Sequence, residues 1–549
     1  MKNKPYPYYT VGQASNLKEL LDQAAVKYGN APAFTYERRK EQVSVNYIQF
    51  KADVEALEAA LWDMGLQSAT VAVIGENSYE WIVTYFAVVN GGGVIVPLDK
   101  ELTAEEAQKL IAASGARVFV HSNDFSDIAV FLQSGQSYAG QCINMRELPA
   151  LLEQGSALLQ SGATEYLRYE IDNNALAAVL YTSGTTGASK GVMLSHQSIT
   201  ADVVATCENC FTTDISLFVL PLHHSFALTA GVLCMLHHGC NIVINKSLKT
   251  VTDDLKKYKP SNIMLVPLFV ETFHKRIWDN AEKSGKAGLL RLLIKISNAL
   301  LAIGIDVRTR FFKSVQAVFG GQNDMVVTGG APIDSKYIKG FRDFGINVLN
   351  GYGITECSPI VSVNRNRYFR DGSVGQVIPG CEVKILDADE SGVGEICVRG
   401  ENVMLGYFND DAATREAFDG EWFKTGDIGY LDADGFLFIT GRKKNLIILS
   451  NGKNVSPEEL EIALLGHIQY VQEAIIYAEN DSIVAEVFLD PECEPGCAAR
   501  LEQDIDALNQ TLAIYKNIGK TVIRDTEFPK TTTKKIKRKY NTEGETVHA

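Results

Sequence analysis

The spacing of apolar residues along the chain changes character three times. Over residues 16–65 it is helical: Asn16 to Lys27 and Tyr47 to Met64 each predict a helix, set around a short hairpin. From Thr70 onward short apolar runs alternate with helical stretches. Thr70 to Ile74 reads as a strand, Ser78 to Val89 as a helix, Gly91 to Pro97 as a Gly-led strand, Thr103 to Ser114 as a helix and Ala116 to His121 as a strand. Such alternation predicts a parallel or mixed sheet covered by helices, and it resumes from 176 to about 350. Between 372 and 440 the texture becomes short strands punctuated by turns: Val383 to Leu386, Gly394 to Val398, Gly429 to Leu431 and Phe436 to Thr440. Beyond Gly441-Arg-Lys-Lys-Asn445 a helix (Pro457 to Leu465) and two strands (Val471 to Tyr477, Ile483 to Leu489) suggest a small α+β unit. The expected fold is therefore α/β. A large N-terminal domain covers residues 1–441, with a β subdomain at about 372–440. A hinge lies at 442–446, and a small mobile α+β domain fills 447–549.

Composition narrows the class. With 549 residues, 46% hydrophobic and 21% charged, the chain is an ordinary globular protein, which excludes a disordered chain, a collagen or a disulfide-stapled mini-protein. A net charge of −14 argues against bulk nucleic-acid binding, which draws its affinity from Lys and Arg. No apolar run reaches the ~18–20 residues that span a bilayer. The best candidate, Ser225 to Leu236, is too short and is flanked by His223, His224, His237 and His238. The N-terminus carries no secretory pattern. The ten cysteines, Cys207-Glu-Asn-Cys210 and the Cys493/Cys497 pair included, lack the paired spacing of a zinc site and read as reduced thiols, consistent with the cytoplasm.

Candidate chemistry concentrates in Ala178-Val-Leu-Tyr-Thr-Ser-Gly-Thr-Thr-Gly-Ala-Ser-Lys-Gly-Val-Met193. An apolar strand runs into a loop of Ser183, Gly184, Thr185 and Thr186, then Lys190 and a second strand. Small residues let backbone N–H groups approach phosphate oxygens, hydroxyls add donors and Lys190 adds charge. Thr182 offers a hard oxygen to Mg²⁺. The loop is not a Walker A: counted from Gly184, the sixth position is Ser189 rather than Gly, and Gly191 follows Lys190.

This segment resembles the signature of the adenylate-forming superfamily, which contains acyl- and aryl-CoA synthetases, nonribosomal peptide synthetase adenylation domains and beetle luciferases. Further motifs follow in that family's order: Leu220-Pro-Leu-His-His224, Thr328-Gly-Gly-Ala-Pro332, Gly351-Tyr-Gly-Ile-Thr-Glu356, Trp422-Phe-Lys-Thr-Gly-Asp427, Gly441-Arg-Lys-Lys444 and Pro529-Lys-Thr-Thr-Thr-Lys-Lys-Ile536. The resemblance implies ATP, Mg²⁺ and coenzyme A as reactants. It gives Thr182 and Glu356 the metal, Tyr352 between Gly351 and Gly353 the adenine, and Gly330 and Ala331 the rim of the base pocket. Thr355 would meet the α-phosphate, Asp427 the ribose hydroxyls, and Arg442 ribose and phosphate. Lys444 stands at the hinge position, and Gly452 beside a pantetheine passage. Taken singly, each has a plain reading: Tyr352 as a core tyrosine, Asp427 as a turn cap, Gly452 as a hairpin glycine. The adenylating lysine would be Lys535. The family's usual glycine before it is Lys534 here, so either lysine fits the role.

Amino-acid-activating relatives carry an Asp near the fourth motif, and Pro221 to Leu236 holds no acidic residue, so an ammonium substrate is disfavoured. His224 would line an acyl pocket. Residues 283–313 place Leu289, Leu292, Leu293, Ile296, Leu300 and Ile303 at helical spacing among Lys283, Lys286, Arg291, Lys295, Arg308, Arg310 and Lys313. This reads either as a helix packed on the core with solvated lysines or as one lying on an anionic membrane, a peripheral contact at the inner face. The segment resembles long-chain acyl-CoA synthetases. The expected reaction joins a medium- to long-chain fatty acid to coenzyme A through an acyl-adenylate. Transfer to acyl-carrier protein, another acid as substrate, ATP hydrolysis and adenylate binding without catalysis are the competitors.

Overall fold

The computed structural model describes residues 3–134, 138–164, 167, 169–182, 189–321, 325–449, 453–479, 482–531 and 536–538. It has a large N-terminal sheet–helix domain followed by a smaller C-terminal one. Local signals place the first elements as the sequence suggests. Asn16 caps Leu17–Tyr28, Asn46 caps Tyr47–Asp63, and Ser78 caps Tyr79–Asn90, each accepting a backbone N–H of the first turn. Thr103 and Glu106 close a full capping box on Ala104–Ser114, which stops at Gly115 in the left-handed region (φ 67°).

The strands of the large domain divide into two mixed sheets. The seven-stranded one runs, across its width, Gly406–Tyr407, Lys190–Ser195, Leu176–Thr182, Val94–Pro97, Thr70–Ile74, Val118–His121 and Gln141–Asn144. The nine-stranded one carries, in order from one edge, Gln376–Val377, Ile360–Val363, Val348–Gly353, Met325–Thr328, Asn262–Leu265, Ile215–Phe218, Asn241–Ile244, Pro32–Arg38 and Glu41–Asn46. Central strands such as Val118–His121 and Asn262–Leu265 are buried at every position, as helices on both faces of a parallel sheet require. One continuous apolar core joins residues of both sheets, from Ala14 to Leu437.

The chain order does not reveal this partition. The hairpin Pro32–Arg38/Glu41–Asn46 pairs with Asn241–Ile244, some two hundred residues away, rather than with its neighbour Thr70–Ile74. The short strand Gly406–Tyr407 leaves the region of the β subdomain and pairs with Val192 and Met193.

The subdomain sheet comprises Cys381–Leu386, Gly394–Gly400, Trp422–Leu431, Phe418–Asp419 and Leu437–Arg442. The C-terminal domain pairs Val471–Glu479, Ser482–Leu489 and Ile518–Arg524, with Pro457–His467 and Cys497–Asn509 against them, and its own apolar cluster runs from Ile447 to Ile518. All ten cysteines are free and seven of them are buried. Among the described residues, no helix is long and apolar enough to cross a membrane; Ser225 to His238 is instead a run of three short helical segments set into the core.

A wholly buried carboxyl braces the region that becomes the site. Asp202 of the helix His196–Asn209 accepts the backbone N–H of Ile360 at 3.2 and 3.3 Å, just after the turn that follows Thr355. Burial raises its pKa well above the usual carboxylate range. The folded chain therefore keeps a proton that the unfolded chain loses above pH ~4, so this group's stabilisation fades as pH rises through that window. We expect Asp202→Asn to flatten the fall of the thermal midpoint with rising pH. An equal loss of stability at every pH from 5 to 8 would show that the ionised carboxylate is what the fold needs.

Candidate active site

The strand ends of both sheets converge on one cavity of about 540 Å³. Pro97 and Leu98, Thr182, Val266, Gly329 to Ala331, and Gly351 to Gly353 all line it, at or just past the carboxyl ends of Val94–Pro97, Leu176–Thr182, Asn262–Leu265, Met325–Thr328 and Val348–Gly353. Ligands of open α/β sheets bind at such ends because the strands stop there and the following loops are free to vary.

Two glycines shape one wall for opposite reasons. Gly330 sits at φ 85°, and the position a Cβ would take opens onto free space, leaving a flat rim. At Gly353 a Cβ would lie 2.2 Å from the Pro359 carbonyl oxygen, so no side chain fits. Between them Tyr352 donates its hydroxyl to Asp427 Oδ2 at 2.7 Å. Asp427 and Arg442 face each other across the subdomain strands, with Arg442 Nε 2.7 Å from Asp427 Oδ1. Burial, reinforced by Asp427, pushes the Tyr352 phenol well above its ordinary pKa, so it remains a donor. Burial works against the Arg442 charge, but Asp427 leads a set of neighbours that more than offsets it and holds the guanidinium pKa above its usual value. The result is a half-buried ring whose edge is pinned to a buried, ion-paired carboxylate.

A second group of residues gathers the oxygen donors. Tyr407 donates to Glu356 Oε1 at 2.9 Å, and Lys190 Nζ stands 4.8 Å above the Tyr407 ring. The backbone stitches the same segment in place: Met404 N–H donates to the Glu356 carbonyl at 2.8 Å and Phe408 N–H to that of Gly191 at 2.7 Å. Thr182 pairs with Lys190 in the hairpin and directs its hydroxyl to the Lys190 carbonyl at 3.5 Å. Thr355 Oγ1 lies 3.3 Å from Ser225 Oγ. Thr182 and Glu356 thus offer hard oxygens near a cation, the donor chemistry that suits Mg²⁺ beside phosphate.

Inward from these walls the lining turns neutral. Thr206, Cys210, Ala230, Met235, Met264 and Met325 contribute no charge. His224 lines the passage. Burial, with His223 beside it, lowers its pKa to about 3, so the imidazole is neutral. The two histidine rings lie 4.2 Å apart, and His223 Nε2 is 3.4 Å from Asp99 Oδ1. Ligating atoms of Asp99, His223 and His224 fall within 4.8 Å of one another. Pro221 to Leu236 has no acid of its own, but the fold brings Asp99, with Glu101 and Glu106, to the same cavity from another strand end.

The structure therefore brings Thr182, Lys190, His224, Gly330, Ala331, Gly351, Tyr352, Gly353, Thr355, Glu356, Asp427 and Arg442 together. Lys444 lies apart in an exposed turn, Lys443–Asn445, between the subdomain and the C-terminal domain. Ser183, Gly184, Thr185, Thr186, Gly452, Lys534 and Lys535 lie outside the described residues. Tyr407, Ser225, Asp99 and Lys537 were missed from sequence. Tyr407 meets Glu356 from 51 positions away, a pairing no local spacing announces. Lys537 and Thr531 line the cavity from the C-terminal tail, whereas Lys530 is held by Glu473 and Glu527.

A family model described as AMP-binding enzyme matches residues 21–408. The chain belongs to the AMP-binding enzyme family. Among its curated relatives in that family, the chain is 28% identical over 524 residues to the long-chain-fatty-acid–CoA ligase FadD15 of Mycobacterium bovis, covering 90% of this chain and 85% of that one. It is 27% identical to the mouse long-chain-fatty-acid–CoA ligase ACSBG1, covering 91% and 74%. Its fold is like that of the anthranilate CoA ligase AuaEII in complex with anthranoyl-AMP (TM-score 0.76, 20% identity, 97% and 96% covered). It is likewise similar to the o-succinylbenzoate coenzyme A synthetase MenE of Bacillus subtilis in complex with ATP and a magnesium ion (TM-score 0.73, 25% identity, 94% and 98% covered).

Tyr407 gives this AMP-binding enzyme a direct test of the Glu356 wall. Tyr407→Phe keeps the ring under Lys190 and removes one hydrogen bond to a carboxylate, worth roughly 1.5–3 kcal/mol. The apparent KM for ATP–Mg²⁺ should rise about tenfold or more as Glu356 loses its position. An unaltered KM would remove Tyr407 from the site.

Proposed function

We propose that the chain activates a medium- to long-chain fatty acid with ATP, giving acyl-adenylate and pyrophosphate, and then passes the acyl group to coenzyme A with release of AMP. The observation that carries the acid is the cavity itself. Beside Tyr352 and Thr355 its lining includes the buried neutral side chains Cys210, Ala230, Met235, Met264 and Met325, against which an alkyl chain loses water, while Asp99, Glu101, Glu106 and Lys537 supply the charged part of the lining. The long-chain-fatty-acid–CoA ligases among its relatives support the same reading.

In this reading the Tyr352 ring takes the adenine, Gly330 and Ala331 form its rim, and Asp427 and Arg442 hold the ribose. Thr182 and Glu356 would hold Mg²⁺, which when bound neutralises phosphate charge. Lys190 and the loop of Ser183 to Thr186 cradle phosphate, and Thr355 meets the α-phosphate beside Ser225. Neutral His224 lines the approach of the carboxylate without adding a fixed charge. The protein forms no covalent bond. It aligns the carboxylate with the α-phosphorus and stabilises the charge that develops there. Lys535 supplies the adenylating cation. Rotation of residues 447–549 about 442–446, with Lys444 in the turning segment and Gly452 beside the incoming thiol, then separates the two half-reactions.

Pyrophosphate release over C2 to C18 and aryl acids, with and without coenzyme A, tests the substrate. kcat/KM should rise about fourfold per methylene, from ~0.8 kcal/mol each, until the chamber is full. A response confined to aryl or amino acids, or ADP and orthophosphate without AMP, would overturn the reading. An acyl-carrier protein replacing coenzyme A in the thioester assay would change only the acceptor. Lys535→Ala should abolish adenylation yet spare thioester formation from supplied acyl-adenylate. Adenylation that survives it and is lost in Lys534→Ala or Lys537→Ala would move the role to that lysine.

A further inference from the structure

The helix Ala287–Ala302 turns its apolar side outward. Leu289, Leu292 and Ile296 recur on one face, and Ile303 and Ile305 extend the stripe past the helix end. These five side chains are 41% to 72% exposed, whereas Ala287 and Ser297 are the buried positions and Leu290, Leu293 and Ile294 make the contact with the core. A contiguous row of bare aliphatic side chains is unusual on a protein that works alone in water.

The charge around the row identifies what covers it. Residues 275–313 hold nine basic and three acidic side chains, in a chain whose net charge is −14. At 100° per residue Lys295 stands beside the row, Arg291 lies further round the helix, and Lys283, Lys286, Arg310 and Lys313 stand exposed at its two ends. Two of the three acids are already matched. Arg308 holds Asp306 at 2.6 Å, and Arg291, stacked over Trp278, lies 3.4 Å from Glu282. Apolar side chains framed by cations fit a bilayer surface, with the aliphatics at the acyl boundary and the cations among anionic headgroups.

We propose that the face formed by Leu289, Leu292, Ile296, Ile303 and Ile305 docks the protein on anionic lipid bilayers. The connection inward is short in sequence. Ala287–Ala302 packs on Pro267–Lys283, which follows the strand Asn262–Leu265, and Met264 and Val266 at that strand end line the cavity. A docked enzyme would meet sparingly soluble amphiphiles where they partition. The docking itself stands independently of which acid is activated.

Co-sedimentation of the full chain with phosphatidylcholine vesicles, with and without phosphatidylglycerol, decides the matter. Binding should require phosphatidylglycerol and weaken with added salt. Leu289→Ser/Leu292→Ser/Ile296→Ser should lower the vesicle partition coefficient at least about tenfold. Its thermal midpoint and its turnover of a short, water-soluble acid should stay unchanged. Arg291→Gln/Lys295→Gln, two of the six exposed cations, should reduce the salt-sensitive part without abolishing it. Equal binding by the triple variant, or no binding by the native chain, overturns the proposal. So does a native dimer that the triple variant converts to monomer without affecting vesicles. Vesicle binding by a chain that activates no acid would leave this surface standing while the ligase reading falls.

Discussion

One buried carboxylate ties the architecture together. Asp427 lies on the subdomain sheet, takes the hydroxyl of Tyr352 from the end of the nine-stranded sheet, and meets Arg442 on the strand that leads to the C-terminal domain. A lone carboxylate at this depth would be strongly disfavoured in its charged form. Here a phenol and a guanidinium in fixed register satisfy it. Three segments that share no local sequence relation must therefore be correctly docked before the charge is tolerated. The site and the docking of the subdomain are thereby one requirement.

The same economy governs the group around Glu356. Glu356, Tyr407 and Lys190 come from three separate stretches, joined by a hydrogen bond, a cation over a ring and the backbone bonds of Met404 and Phe408. The cavity between the walls owes its shape to absences as much as to contacts. Gly353 leaves room for the Pro359 carbonyl, and Gly330 leaves its rim bare.

Most motif residues were legible because their motifs are a strand end plus its following loop, a unit that short-range sequence specifies. Tyr352, Thr355 and Glu356 could be named in this way, whereas Asp427 lies inside the strand Trp422–Leu431, paired with Arg442, and both were named by the family resemblance of their motifs. Partnerships across hundreds of residues could not. The pairing of Pro32–Arg38 with Asn241–Ile244, the approach of Tyr407 to Glu356 and of Asp99 to His223 all follow from how two sheets share one core. Periodicity likewise located the helix Ala287–Ala302 but left both of its readings open. Leu289 and Leu292 are exposed while Ser297 is buried, because neighbouring helices, not the helix itself, decide which face turns in.

The small domain touches the large one through modest polar links. Lys275 reaches Asp490 at 3.3 Å, Lys336 donates to the Gly466 carbonyl at 3.3 Å, and Ser456 donates to that of Thr440 at 2.5 Å. An exposed ion pair is worth at most about 1 kcal/mol and is screened by salt. The Lys275–Asp490 pair is thus the part of this contact that ionic strength reaches most directly, while the bonds to the Gly466 and Thr440 carbonyls ask chiefly for position.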